Sequence, residues 1–101
     1  MAGFEKLRIW QKAHELMIKI HGIVKRLPLE EKYRIKAQIE RASSSVCDNI
    51  AEGYSSYYYN DKIKGMYTAR KEAGETQNHI IMLQSKRYID SELSSELINE
   101  Y

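Results

Sequence analysis

The chain of 101 residues is poor in everything that breaks a helix: it has one proline and five glycines. An all-β fold of this length needs many more turn residues, so strands are excluded as the main architecture. It has one cysteine, Cys47, which leaves no internal disulfide and no sign of an oxidising compartment. It also lacks long apolar runs. The strongest within a predicted helix is Ile80-Ile81-Met82-Leu83, far too short to span a bilayer, so no membrane association is expected. Glu5, Lys6 and Arg8 stand where the apolar part of a signal peptide would lie, which predicts a cytoplasmic protein. The sequence has no glycine-rich phosphate loop, no nucleophile elbow and no H-E-x-x-H. His14 and His21 fall two turns apart, too far to share a metal directly, and no acid completes a ligand set. The expectation is therefore a protein that is not an enzyme, with no cofactor, no metal and no small-molecule substrate.

What the sequence does contain is helical periodicity. Ile9, Ala13, Leu16, Ile20, Ile23 and Leu27 recur at steps of three and four, predicting a helix over 4–27 that Pro28 ends. A second helix is predicted over 30–51. Glu30 and Glu31 sit at its first turn, and Ile35, Ile39, Ala42, Val46 and Ile50 form one apolar line. Roughly opposite lies a second line, Tyr33, Ala37, Ser44 and Ala51. A helix with two such faces has a neighbour on each, and in so short a chain the second neighbour can be another subunit. Those four residues are the candidate oligomer interface. Gly53 reads as a helix stop. A loop holding Tyr54, Tyr57, Tyr58 and Tyr59 follows, with Asn60 or Asp61 as the next cap.

The third helix is predicted over 61–87. Ile63, Met66, Tyr67, Ala73, Gln77, Ile80, Ile81 and Gln84 share a face, Gly65 and Gly74 weaken it, and Arg70 falls on the apolar side. Asp90 or Ser91 caps a fourth helix carrying Leu93, Leu97 and Tyr101, about three turns long. Short connections between long helices make an antiparallel up-down-up-down four-helix bundle, one all-α domain over residues 1–101.

Charge is unevenly spread. Residues 1–28 carry six lysines and arginines against two acids, and residues 59–88 carry six against three. Residues 89–101 carry four acids and no base. Arg8, Lys12, Lys19 and Arg26 fall near one line on the first helix, interrupted by Glu15. Such a line can follow a phosphate backbone of RNA or DNA with salt-sensitive affinity, or be a solvated helix face. The tyrosine loop can likewise stack on unpaired bases or sit in a protein interface.

The stretch Gln38-Ile-Glu-Arg-Ala-Ser-Ser-Ser-Val-Cys-Asp-Asn-Ile-Ala-Glu-Gly-Tyr54 resembles the central motif of the four-helix-bundle family of 23S ribosomal-RNA intervening-sequence proteins. Phe4-Glu-Lys-Leu-Arg-Ile-Trp-Gln-Lys-Ala-His-Glu-Leu16 is similar to that family's opening, Leu27-Pro28 to its break, and Tyr88-Ile89 to the approach to its fourth helix. The family is also similar to the accessory protein of diversity-generating retroelements. The resemblance implies a ring-like homo-oligomer, a pentamer, with nucleic acid as the proposed partner. It also marks Arg41, Asn49, Ile50, Ala51, Glu52, Gly53 and Glu75 as motif residues with a structural role. Glu40 replaces a basic residue of the motif and Tyr57 stands where an arginine is common, which removes positive charge. Glu52 is expected to pair with Arg70 or Arg41. A scaffold that binds another protein and no nucleic acid is the alternative function.

Overall fold

The computed structural model describes residues 3–101, and within them every regular element is helical. The helices are α1 (Arg8–Val24), α2 (Ile35–Ser55), α3 (Tyr59–Ser85) and α4 (Ser91–Glu100), with single 3-10 turns at Phe4–Lys6 and Leu29–Glu31. α3 has 27 residues and spans roughly 40 Å at 1.5 Å per residue. It sets the 43 Å long axis of the molecule.

Successive contacts show the helix directions. Along α2 and α3, Gly53 meets Gly65, Arg41 reaches Glu72 and Glu75, and Ile35 shares a hollow with Met82, so the two helices are antiparallel. Ser44 of α2 meets His21 of α1, while Ala13 packs with Ile50 and Ile20 with Ile39. On α4, Leu93 lies near Ile23 and Leu27, and Glu100 near Lys12. The result is the expected up-down-up-down bundle.

The core has two parts. Leu16, Ile20 and Val24 of α1, Ile35 and Ile39 of α2, Ile80 and Leu83 of α3, and Leu97 of α4 fill one end. The other end is built from smaller side chains: Ala13, Val46, Cys47, Ile50 and Ala69, with Trp10, Met17 and Tyr101 against them. α4 covers the first part and stops at the second.

Helix boundaries differ from the sequence expectation for identifiable reasons. α1 ends at Val24, and Lys25 to Leu27 tighten into turn bonds such as Leu27 N–H to Val24 C=O (3.1 Å) before Pro28. Glu30 and Glu31 do not open α2; they lie in the separate turn after Pro28. Glu31 is pinned there, 3% exposed, because its carboxylate accepts from Lys86 Nζ at 2.7 Å. That donor holds the carboxyl below its ordinary range, against the opposing effect of burial.

Gly53 does not stop α2, which continues to Ser55. It is buried where α2 crosses α3: a Cβ on Gly65 would lie 2.6 Å from Gly53 Cα and 2.8 Å from the Asn49 carbonyl oxygen. Two glycines face each other because no side chain fits between the backbones. The connection shrinks to Ser56–Tyr58, and Tyr59, Asn60 and Asp61 already belong to α3. Tyr58 occupies the cap position without a side-chain bond. Just past the end of α3, Arg87 takes φ 65° and Tyr88 N–H bonds the Leu83 carbonyl (2.9 Å), a C-terminal closure usually made by glycine. Asp90 caps α4, accepting from Leu93 N–H at 2.8 Å.

Candidate interaction surfaces

The four basic candidates are all exposed, but they are not equivalent. Arg8 opens α1, Lys12 and Lys19 lie along it, and Arg26 sits past its end in the turn. Glu100, from the end of α4, reaches between the middle two: Lys12 Nζ is 3.3 Å from Oε1 and Lys19 Nζ 3.7 Å from Oε2. The acidic tail thus crosses the basic line and offsets its centre. Exposed ion pairs of this kind contribute about 0–1 kcal/mol, so they can open to a stronger anion.

The motif residues form a structural cluster at the α2–α3 seam. Arg41 bridges Glu72 (3.2 Å) and Glu75 on α3. Part burial opposes ionisation of Glu75, yet bonding from Arg41 leaves its carboxyl below the usual range. Asn49 Nδ2 donates to the Ser45 carbonyl (2.8 Å) and Ser45 Oγ (3.0 Å). Ile50 is in the core, Ala51 is half-buried, and Gly53 makes the backbone crossing. Arg41 is therefore engaged away from Glu52, and among the described residues no ion pair includes Glu52 or Arg70. Glu52 is exposed on the rim of a polar concavity of about 240 Å³ shared with Asn49, Asp61 and Lys64. That concavity contains no histidine or cysteine.

The proposed oligomer face of α2 is split. Tyr33 lies in the turn before α2, 83% exposed, and Ala37 is exposed on its first turn. Ser44 and Ala51 are half-buried, Ser44 because α1 reaches it through His21 Nε2 (3.3 Å). His14 stacks on Trp10 with ring centroids 4.8 Å apart. Among the described residues no three histidines, cysteines or acids come together to hold a metal. Cys47 is buried, and burial, helped by the charge of Asp48, pushes its thiol up to about 11.

The feature that sequence reasoning missed is on α3. The predicted single face divides into two. Gly65, Ala69, Thr76, His79, Ile80 and Leu83 point into the bundle. Tyr59, Ile63, Tyr67 and Ile81 point away from it, with Gly74 bare among them and nothing within 4 Å of where its Cβ would be. Ile63 is 41% exposed, Tyr67 73% and Ile81 49%. At 100° per residue these side chains keep to one stripe opposite the core. The signal was present in the spread of the predicted face. Thr76 and His79 hid the true core side because they are polar. Tyr57 and Tyr58 extend the exposed apolar surface at the α2–α3 corner, their rings 5.1 Å apart.

Residues 5–101 match the family described as 23S rRNA-intervening sequence protein. The chain is also similar to a crystal structure of a protein with unknown function from the S23 ribosomal protein family of Bacteroides thetaiotaomicron. That likeness has a TM-score of 0.83 and 29% identity, covering 91% of this chain and 83% of that one. No curated protein matches. Among the described residues no helix is long and apolar enough to cross a membrane.

Proposed function

Since the chain belongs to the 23S rRNA-intervening sequence protein family, we propose that it is a non-enzymatic interaction module whose copies assemble through the outer face of α3. The assembly offers the basic side of α1 to RNA or DNA. The observation that carries the reading is the stripe Tyr59, Ile63, Tyr67 and Ile81, exposed on the side of α3 away from the core. Large apolar side chains gathered on one exposed helix face mark a surface suited to a protein partner. Gly74, bare within the stripe, lets a second backbone approach closely. A ring of five is the assembly the resemblance implies, and Tyr33 and Ala37 are free to take part at its other edge.

Nucleic-acid binding follows from assembly rather than from one chain. Arg8 and Arg26 carry no ion pair among the described residues, whereas Lys12 and Lys19 share Glu100. One weak patch repeated around a ring gains through effective concentration. The alternative, a scaffold for another protein with no nucleic acid, is favoured by that same Glu100 contact, which cancels charge where a phosphate would sit.

Light scattering on the wild type and on Ile63→Glu/Ile81→Glu tests the reading. A wild-type mass several times that of the chain, falling to one chain in the variant with helicity kept, supports it. A single-chain mass for both overturns it. Binding to a structured RNA and a DNA duplex at two salt concentrations separates the two roles. Affinity at low salt that weakens in Arg8→Ala/Arg26→Ala favours nucleic acid, and no affinity leaves the scaffold.

A further inference from the structure

The turn before α2 and the C-terminal part of α3 enclose a hollow of about 280 Å³ that no residue of α1 or α4 lines. Ile35 and Met82 give it an apolar wall, and Gln38 adds an amide. His79 also lines it, only 7% exposed, and its Nδ1 is buried without a hydrogen-bond partner. Buried polar groups are normally paired, so an unsatisfied imidazole beside open space marks a place where a ligand supplies the missing bond. Arg34 and Lys86 complete the lining. Lys86 is held by Glu31 at 2.7 Å, whereas Arg34 carries no ion pair among the described residues. Two cations face one carboxylate there, which leaves the hollow positive. Arg34 and Ile35 are also where α2 begins, and no side chain caps that end. Its free N–H groups add to the attraction for an anion.

We propose that this hollow binds one nucleoside monophosphate unit, its base against the apolar wall and its phosphate at Arg34 and the start of α2. Each part of such a ligand meets a matching group. The flat base lies on Ile35 and Met82, with the exposed ring of Tyr33 beside them for stacking. The base edge carries donors and acceptors, which the Gln38 amide and the His79 imidazole answer. The phosphate is a compact anion suited to a guanidinium and a helix N-terminus. The volume is close to the lower end of small-ligand clefts, roughly 300 Å³, which is room for one unit and not for two. A free nucleotide and an unpaired residue of a strand present the same chemistry here. The site shares no residue with the basic line of α1, so it does not rest on that line. One chain supplies every residue of it, so it does not rest on assembly either.

Isothermal titration with adenosine monophosphate tests this, with ribose 5-phosphate and a short single-stranded RNA as the other probes. The nucleotide is expected to bind at least about tenfold more tightly than ribose 5-phosphate, equivalent to about 1.4 kcal/mol. Arg34→Glu is expected to weaken the nucleotide by about tenfold or more. His79→Phe keeps a ring of similar size and removes both nitrogens. It is expected to weaken binding about fivefold while the melting temperature stays level or rises, a split that a purely structural histidine would not give. Arg8→Ala/Arg26→Ala and Ile63→Glu are expected to leave nucleotide affinity unchanged, so failure of the α1 surface or of assembly is told apart from failure here. A single strand that competes with the nucleotide and binds more tightly makes the natural ligand a residue of a strand; one that does not compete makes it the free nucleotide. Absence of nucleotide binding overturns the proposal, and so does ribose 5-phosphate binding as tightly as the nucleotide. Binding that survives both Arg34→Glu and His79→Phe overturns it too. So does loss of binding in Ile63→Glu, since the site would then need a second copy.

Discussion

On its inner face α3 buries Gly65, Ala69, Ile80 and Leu83; on its outer face it leaves Tyr59, Ile63, Tyr67 and Ile81 in water. The side chains are of similar kind, and each face contains a glycine. What differs is the company. Gly65 lies against the backbone of Gly53, whereas Gly74 has nothing within 4 Å. An isoleucine beside an isoleucine, Ile80 and Ile81, is wholly buried in one case and half in solvent in the other. Apolar residues on both sides of a helix therefore mark two faces, and α2 and α4 of this chain cover one of them.

The largest expected contrast is between those adjacent isoleucines. In a chain kept monomeric by Ile63→Glu, Ile80→Ala is expected to lower the unfolding free energy by about 2–5 kcal/mol, because it empties a filled core position. Ile81→Ala is expected to change it by less than about 0.5 kcal/mol. Urea unfolding measures both, and equal losses would break the distinction between the faces.

The two glycines give the next contrast. Gly65→Ala forces a methyl group onto the α2 backbone and is expected to cost about 1–3 kcal/mol. Gly74→Ala meets open space and is expected to stabilise by up to about 1 kcal/mol, the helix-propensity difference. Thermal melts in the same monomeric background show a fall in one and a rise in the other, and a rise in both would mean that the crossing is looser than described.

The smallest effect lies just past the end of α3, where Lys86 holds Glu31. A carboxyl whose native value is depressed stabilises the fold above its unfolded value of 4.5. That contribution is lost as the pH falls from there through the lowered native value. Glu31→Gln is therefore expected to lower the melting temperature at neutral pH and to make its decline below about pH 4.5 shallower. A decline of unchanged steepness would place the acid sensitivity elsewhere, for example in the Arg41, Glu72 and Glu75 cluster.

The helices were legible because leucine, isoleucine and valine on α1 and α2 recur with a period set by backbone geometry alone. Their ends were less so. Gly53 reads as a stop because glycine commonly ends helices, yet here it serves a helix crossing, and only its partner Gly65, twelve positions on, explains that. Glu30 and Glu31 look like first-turn acids, but Lys86, far along the chain, decides where Glu31 lies. The core side of α3 was obscured by Thr76 and His79, polar residues that the fold buries. Thr76 is buried at low cost because its hydroxyl donates to the Glu72 carbonyl of its own helix (2.8 Å). Of the interaction surfaces, the basic line was visible as a spacing. Its partial cancellation was not, since Glu100 reaches Lys12 from 88 residues away.

The central claim is that the outer stripe of α3 is covered in solution by another copy. The rate at which a thiol placed on its edge by Asn78→Cys is alkylated, followed against protein concentration, tests this most directly. Cys47 does not compete, being buried with its thiol raised to about 11. The account predicts that labelling slows as concentration rises and speeds up again when Ile81→Glu is added. A rate independent of concentration, equal to that of a small thiol in water, would contradict it.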